Sequence, residues 1–228
     1  MVRSLATQTN SQKEKPIFVF DLDQTIVDSA NFRSYRTLDK IFIHDVVILL
    51  GDLARARSAE QIVGIFLLTN NASQAYIYHV EQQLLRLYPS DRSLHTGKFF
   101  DGVLHRNSKS RTPVGSPDPE KALSDVRTLL DMIGAPYKDE TLARRVWFFD
   151  DMPYHKIRRE LPLTHYILVK PHGNDFSEIY RILHRGAADT LVEEAKKEAE
   201  AKKKRKTRRT KRHVGKKLAQ GEAHGKQA

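Results

Sequence analysis

Residues 16–29 read PIFVFDLDQTIVDS: four apolar residues, Ile17 to Phe20, run straight into Asp21, Leu22, Asp23, Gln24 and Thr25. A short, continuous apolar run bounded by polar residues predicts a strand buried on both faces, the kind found in parallel sheets rather than in half-exposed antiparallel ones. Two further stretches share this form. IVGIFLLTNN, residues 62–71, ends in Thr69, Asn70 and Asn71, and RRVWFFDD, residues 144–151, ends in Asp150 and Asp151. HYILVKP, residues 165–171, predicts a fourth strand.

Helical patterns separate these strands. Residues 34–61 carry helix-like apolar spacing, with Gly51 as a candidate break, and ASQAYIYHVEQQLLRLY, residues 72–88, is amphipathic and is stopped by Pro89. TGKFFDGVLHR, residues 96–106, predicts a short strand pair or an edge element, followed by a connector at 107–120. Within residues 118–136 a helix is expected, with Pro119 inside its start and Gly134 and Pro136 beyond its finish. A last helix from Asp175 runs toward the basic end of the chain. Strands alternating with helices define an α/β fold with a Rossmann-like, doubly wound parallel sheet. The expected organisation is a tail at 1–14, one domain at 15–186 and a basic arm, helical or disordered, at 187–228.

Composition narrows the chemistry. The 228 residues include no cysteine, which excludes disulfides and thiolate ligands, so a metal site must use oxygen or imidazole donors. No apolar run reaches the roughly 18–20 residues needed to span a bilayer, and the first residues lack a signal-peptide core, so no membrane partner and an intracellular location are expected. The net charge of +11 is concentrated at the end: residues 193–228 hold 14 Lys/Arg and 5 Asp/Glu, or +9, leaving +2 for the rest. Residues 202–217 contain 11 Lys/Arg in 16 positions. The run Lys202, Lys203, Lys204, Arg205, Lys206, Arg208 and Arg209 matches a nuclear import signal, and the same charge density attracts nucleic acid phosphate. It lacks interleaved aromatic residues, so such binding would be sequence-blind, and a merely solubilising tail is the plain alternative.

In open α/β sheets the ligand crevice lies at the carboxyl ends of the strands, so the three polar endings are expected to converge there. Asp21, Asp23, Asp150 and Asp151 brought together would repel one another unless a cation shared the site, and an all-oxygen set suits Mg²⁺. A carboxylate at such a site can attack phosphorus and become an aspartyl phosphate; Asp21 fits that role, and Asp23 fits general acid and base. Thr69, Asn70 and neighbouring backbone N–H groups are candidates for holding the phosphoryl oxygens. Each piece alone has a plainer reading: Asp, Thr and Asn after strands often only form turns or caps. His155, His165 and His172 have no metal-ligand spacing and read as surface or packing residues. Ser and Thr before proline in the connector read as an ordinary loop or a phosphorylation site.

IFVFDLDQT, IFLLTNN and VWFFDD, in this order, resemble motifs one, two and four of the haloacid dehalogenase superfamily, over roughly residues 15–175. That resemblance implies a Mg²⁺-dependent phosphomonoester hydrolase with a minimal cap. It further implies Asp21 as nucleophile and metal ligand, Asp23 as acid and base with its carbonyl toward the metal, Thr69 on the phosphoryl group, Asp150 on the metal and Asp151 assisting. An acid at position 23 points to phosphatase rather than dehalogenase chemistry. The third motif requires a lysine, and Ser116 stands where many members carry it, before Pro-x-Pro. KALSDVRTLL, beginning at Lys121, is similar to a segment of the phosphatases that act on the carboxy-terminal domain of RNA polymerase II, which implies Lys121 in this role, with Lys109 and Lys138 as alternatives. FFDGVLHR and DDMPYHKI suggest the same branch and so a phosphoprotein substrate, phosphorylated on Ser or Thr. DDMP and LTNNAS depart from that branch's usual Ser-Pro and Thr-Ala-Ser runs. A nucleic acid end or a small phosphate ester is the second substrate choice, and a non-enzymatic scaffold binding nucleic acid through its arm is the reading from a different class.

Overall fold

The computed structural model describes residues 15–28, 41–89, 97–109, 111 and 120–184. The tail 1–14, most of the connector and the whole basic arm, including Lys202, Lys203, Lys204, Arg205, Lys206, Arg208 and Arg209, lie outside the described residues. The chain divides after Phe176 into two units, 1–176 and 177–228.

In the first unit the strands are β1 (Ile17–Phe20), β2 (Gly64–Leu68), β3 (Gly102–Leu104), β4 (Val146–Asp150) and β5 (Tyr166–Leu168). They form one sheet in the order β3-β2-β1-β4-β5, with every neighbouring pair parallel. β1 is central, its Phe20 in register with Leu67 on one side and Phe149 on the other. This is the Rossmann-like order: β2 and β3 extend one way from β1, then the chain crosses back and β4 and β5 extend the other. Of the stretch expected to form a short strand pair or an edge element, Gly102–Leu104 form the edge strand β3.

Helices α1 (His44–Ser58) and α2 (Gln74–Leu87) connect the first three strands; α3 (Leu123–Met132), α4 (Asp139–Arg145) and α5 (His155–Glu160) serve the later connections. Alternate strand residues face opposite ways, and Ile17, Val19, Phe66, Leu68, Val146 and Phe148 share a core with Val126, Leu129 and Leu130 of α3, Leu142 of α4 and Ile157 of α5. The opposite alternation carries Phe20 stacked on Phe149 at 4.3 Å between ring centroids, with Phe176 edge-on to Phe149 at 5.9 Å. β1, β2 and β4 are buried on both faces, which is why they read as unbroken apolar runs, whereas the edge strand β5 leaves Leu168 exposed. In the second unit, residues 177–184 are helical, with Glu178 paired to Arg181.

Two local expectations change. Gly51 does not break α1, which runs through it; a Cβ there would come within 2.4 Å of Tyr88 Cε1, so the glycine serves a close approach between α1 and the end of α2. The helix expected from Pro119 starts later, with Ala122 as its N-cap and the Asp125 carboxylate accepting the Ala122 N–H at 2.9 Å. Lys121 is therefore not in the helix but in the chain leading to it. α4 and α5, of 7 and 6 residues, are too short to show an apolar period and had no sequence signal.

Candidate active site

The strand order reverses between β1 and β4, and the crevice at such a switch point lies at their carboxyl ends. Asp21 follows β1, and its N–H still continues the ladder to Phe149 O at 2.8 Å. Asp150 ends β4, and its carbonyl accepts the Val169 N–H at 2.8 Å. The two side chains are thereby set side by side by the rigid centre of the sheet. Beyond Asp21 the chain turns sharply: Leu22 O accepts both Ile26 N–H and Val27 N–H, at 2.9 and 3.0 Å, and Gln24 takes a left-handed φ of 57°. The turn presents Asp23 to the loop after β2, where its Oδ2 accepts from Asn71 Nδ2 at 2.9 Å.

Lys121 lies at the centre, fully buried at 0 % exposure. Its Nζ donates to Asp21 Oδ1 at 2.5 Å and to Asp150 Oδ2 at 2.6 Å, and stands 4.8 Å from the centroid of the Tyr154 ring and 5.7 Å from that of Phe148. Its carbonyl accepts the Ile157 N–H at 3.1 Å, while Leu123 N–H donates to Glu160 Oε2 at 2.6 Å, so α5 clamps the segment that carries it. A buried ammonium needs compensation of this kind, because an unpaired charge in the interior is strongly disfavoured.

The electrostatics are crowded with negative charge. Burial pushes the Asp150 carboxyl up to about 7, with Asp21 adding to the shift and Lys121 opposing it. Burial also raises Asp23, against the lowering from its Asn71 hydrogen bond, and raises Asp151, where the Asp21 charge adds to the effect. One lysine does not balance these carboxylates. Asp21, Asp150 and Asp151 each offer an oxygen within 4.8 Å of the others, an all-oxygen donor set that fits a hard divalent cation. Asp23 is not one of these three; its carboxylate is held by Asn71.

The loop after β2 is fastened on several sides. Thr69 is buried, its N–H donates to Leu104 O at 2.9 Å, its hydroxyl oxygen accepts the Asn71 N–H at 3.0 Å, and its carbonyl accepts from the buried Arg111 guanidinium. Asn70 Nδ2 donates to Tyr154 Oη at 2.6 Å. Asn71 Oδ1 accepts the Ser73 N–H at 2.8 Å, just ahead of the α2 N-cap, where Ser73 Oγ accepts the Tyr76 N–H at 3.2 Å. The N–H groups of Thr69 and Asn71 are thus engaged within the protein.

The other sequence candidates sit elsewhere. Lys109 is exposed on the loop after β3, and Lys138 precedes α4, which leads into the amino end of β4, opposite the crevice. His155 and His172 are exposed; His165 stacks on Trp147 at 4.0 Å and bonds through Nδ1 to Val146 O. Sequence reading assigned no part to Asn71, Arg111 or Tyr154. Asn71 carried a faint signal, since it ends a strand within the quoted TNN; Arg111 and Tyr154 carried none, because their contacts depend on how distant loops close.

Comparison of the chain with protein-family models, curated proteins and solved structures gave no match.

Proposed function

We propose that this chain is a Mg²⁺-dependent phosphomonoester hydrolase that works through an aspartyl phosphate on Asp21. The observation that carries the reading is the buried Lys121 ammonium, bonded to both Asp21 and Asp150 although 100 and 29 residues away from them in sequence. Within the resemblance to the haloacid dehalogenase superfamily, this lysine is the part the sequence left least determined.

An Asp21 oxygen attacks the phosphorus, the bond to the leaving oxygen breaks, and Asp23 delivers its proton to that oxygen. Burial, by raising Asp23, favours the proton-carrying form the step needs. Asp23, now ionised, takes a proton from the water that attacks the phosphoaspartate, releasing phosphate and restoring Asp21. Lys121 holds Asp21 in place and offsets charge on the phosphoryl group, while Thr69 and Asn70, fixed by Arg111 and Tyr154, border the site. A Mg²⁺ ion at Asp21, Asp150 and Asp151 would supply further neutralisation of the phosphoryl oxygens.

The favoured substrate is a phosphoprotein carrying phosphoserine or phosphothreonine. That choice follows FFDGVLHR, KALSDVRTLL and DDMPYHKI, whose resemblance is to phosphatases that act on the carboxy-terminal domain of RNA polymerase II. The test is hydrolysis of an aryl phosphate with and without Mg²⁺, by the unaltered protein and by Asp21→Asn. Mg²⁺-dependent turnover lost in the variant is expected; equal rates for the two proteins would overturn the assignment.

A further inference from the structure

Tyr154 belongs to none of the acidic or hydroxyl strand endings, yet it touches two of the groups that matter most. Its ring lies against the Lys121 ammonium at 4.8 Å, and its hydroxyl oxygen accepts from Asn70 Nδ2 at 2.6 Å. A cation over an aromatic face is held by the ring quadrupole, more strongly when water is excluded, and Lys121 is fully buried. The hydroxyl is a separate handle, on the far end of the same rigid side chain.

The tyrosine is itself well anchored. Its N–H donates to Tyr166 Oη at 3.2 Å, and the Tyr166 hydroxyl bonds to Met152 O, so β5 fixes the 152–154 turn. Its carbonyl accepts the Arg158 N–H at 3.1 Å, tying the turn to α5, the helix whose Ile157 N–H also grips Lys121 O. A planar side chain fixed at its base therefore joins the loop after β2 to the lysine that faces Asp21 and Asp150.

We propose that Tyr154 is a positioning residue with two separable tasks: its ring orients the Lys121 ammonium, and its hydroxyl holds Asn70 in the phosphate-facing loop. The catalytic part of this inference rests on the phosphohydrolase reading above; the packing of the ring on Lys121 does not.

The two tasks predict different variants. Tyr154→Phe keeps the ring and loses the hydrogen bond, so phosphate affinity, read as KM for an aryl phosphate and as competitive inhibition by orthophosphate, weakens by about 3–10-fold, the worth of an ordinary hydrogen bond. Asn70→Ala, which also removes an amide bordering the site, weakens affinity at least as much, and the double variant is no worse than Asn70→Ala alone, because the hydroxyl acts only through that amide. Tyr154→Leu loses the ring as well; kcat falls beyond any change in KM, and Lys121 becomes more open to an amine-acylating reagent, followed by peptide mass mapping, whereas Tyr154→Phe restores both. Additive losses from Tyr154→Phe and Asn70→Ala would overturn the hydroxyl task. Acylation of Lys121 equal in the Phe and Leu variants would overturn the ring task, and this readout needs no turnover. A protein that neither hydrolyses aryl phosphate nor binds orthophosphate with Mg²⁺, yet shows the acylation difference, would refute the phosphohydrolase reading and the hydroxyl's part in it while retaining the ring task. Should Tyr154→Leu not fold, the Phe and Asn70 cycle still decides the hydroxyl task, and Tyr154→Trp, which keeps an aromatic face, must protect Lys121 as the native residue does or the ring task fails.

Discussion

Replacing Lys121 by methionine removes the charge at the centre of the site while keeping the length and most of the packing of the side chain. The native ammonium bonds to Asp21 at 2.5 Å and to Asp150 at 2.6 Å with no exposure to solvent. Removing one partner of a buried ion pair costs about 3–5 kcal/mol, because the remaining charge is left uncompensated. Here two carboxylates are left facing each other, so the upper part of that range is expected at pH 8. The cost should shrink in acid. Burial already pushes Asp150 up to about 7 with Lys121 present, and without the lysine its proton is held more firmly still. A folded state that binds one proton more than the unfolded chain gains up to about 1.4 kcal/mol for each pH unit lowered; between pH 8 and pH 6 the variant gains over the whole range but the unaltered protein, with Asp150 at about 7, over only half of it, so the loss should shrink by about 1.4 kcal/mol, to about 3 kcal/mol at pH 6. Urea unfolding in the presence of a chelator, followed by the fluorescence of the single tryptophan, Trp147 on β4, measures both values. A loss below about 1 kcal/mol at pH 8, or the same loss at pH 6 and pH 8, would refute a buried lysine that neutralises Asp21 and Asp150.

Divalent metal gives the second prediction. Because the folded Asp150 carboxyl is raised from 3.8 to about 7, the metal-free protein holds a proton in that window that the unfolded chain lacks, and its stability falls as pH rises from about 4 to 7. Mg²⁺ binds the ionised carboxylates, so its stabilisation, about 2.7 kcal/mol at a hundredfold excess over Kd, should be larger at pH 8 than at pH 6; an equal shift in Tm at both would contradict a shared carboxylate site. At Gly51, alanine should cost about 1–2 kcal/mol in thermal or urea unfolding through the clash with the Tyr88 ring, despite its better helix propensity. On a Tyr88→Ala background the same change should become neutral or stabilising, and an undiminished cost there would show that the close approach is not the reason for the glycine. Glu81 accepts the Phe99 and Phe100 N–H groups through one oxygen, Oε1, at 2.9 and 3.0 Å. Glu81→Gln keeps that acceptor and should cost about 1 kcal/mol in urea unfolding, against about 3 for Glu81→Ala, which leaves two buried donors unmet; equal costs would contradict this pairing.

The sheet was legible because β1, β2 and β4 are buried on both faces, which writes them into the chain as unbroken apolar runs ending in polar residues. The same endings pointed to Asp21, Asp150 and Asp151, since a strand's last residue fixes where its side chain emerges. Lys121 is different: nothing in its periodicity separates it from a solvated lysine, and only the resemblance singled it out. Asn71, Arg111 and Tyr154 act through loop closures between segments far apart in the chain, and no local pattern encodes them. Gly51 read as a break because glycine is a poor helix former, and its reason for being there, the Tyr88 ring, is 37 positions away.

The most direct test of the site is chemical trapping. Protein mixed with an aryl phosphate and Mg²⁺, quenched in acid and mapped by mass spectrometry, should carry a phosphoryl group on the peptide containing Asp21, removable by hydroxylamine and missing from Asp21→Asn. Turnover with no phosphoryl group on Asp21 under conditions that slow its hydrolysis, or a group retained in the variant, would contradict a phosphoryl-accepting Asp21.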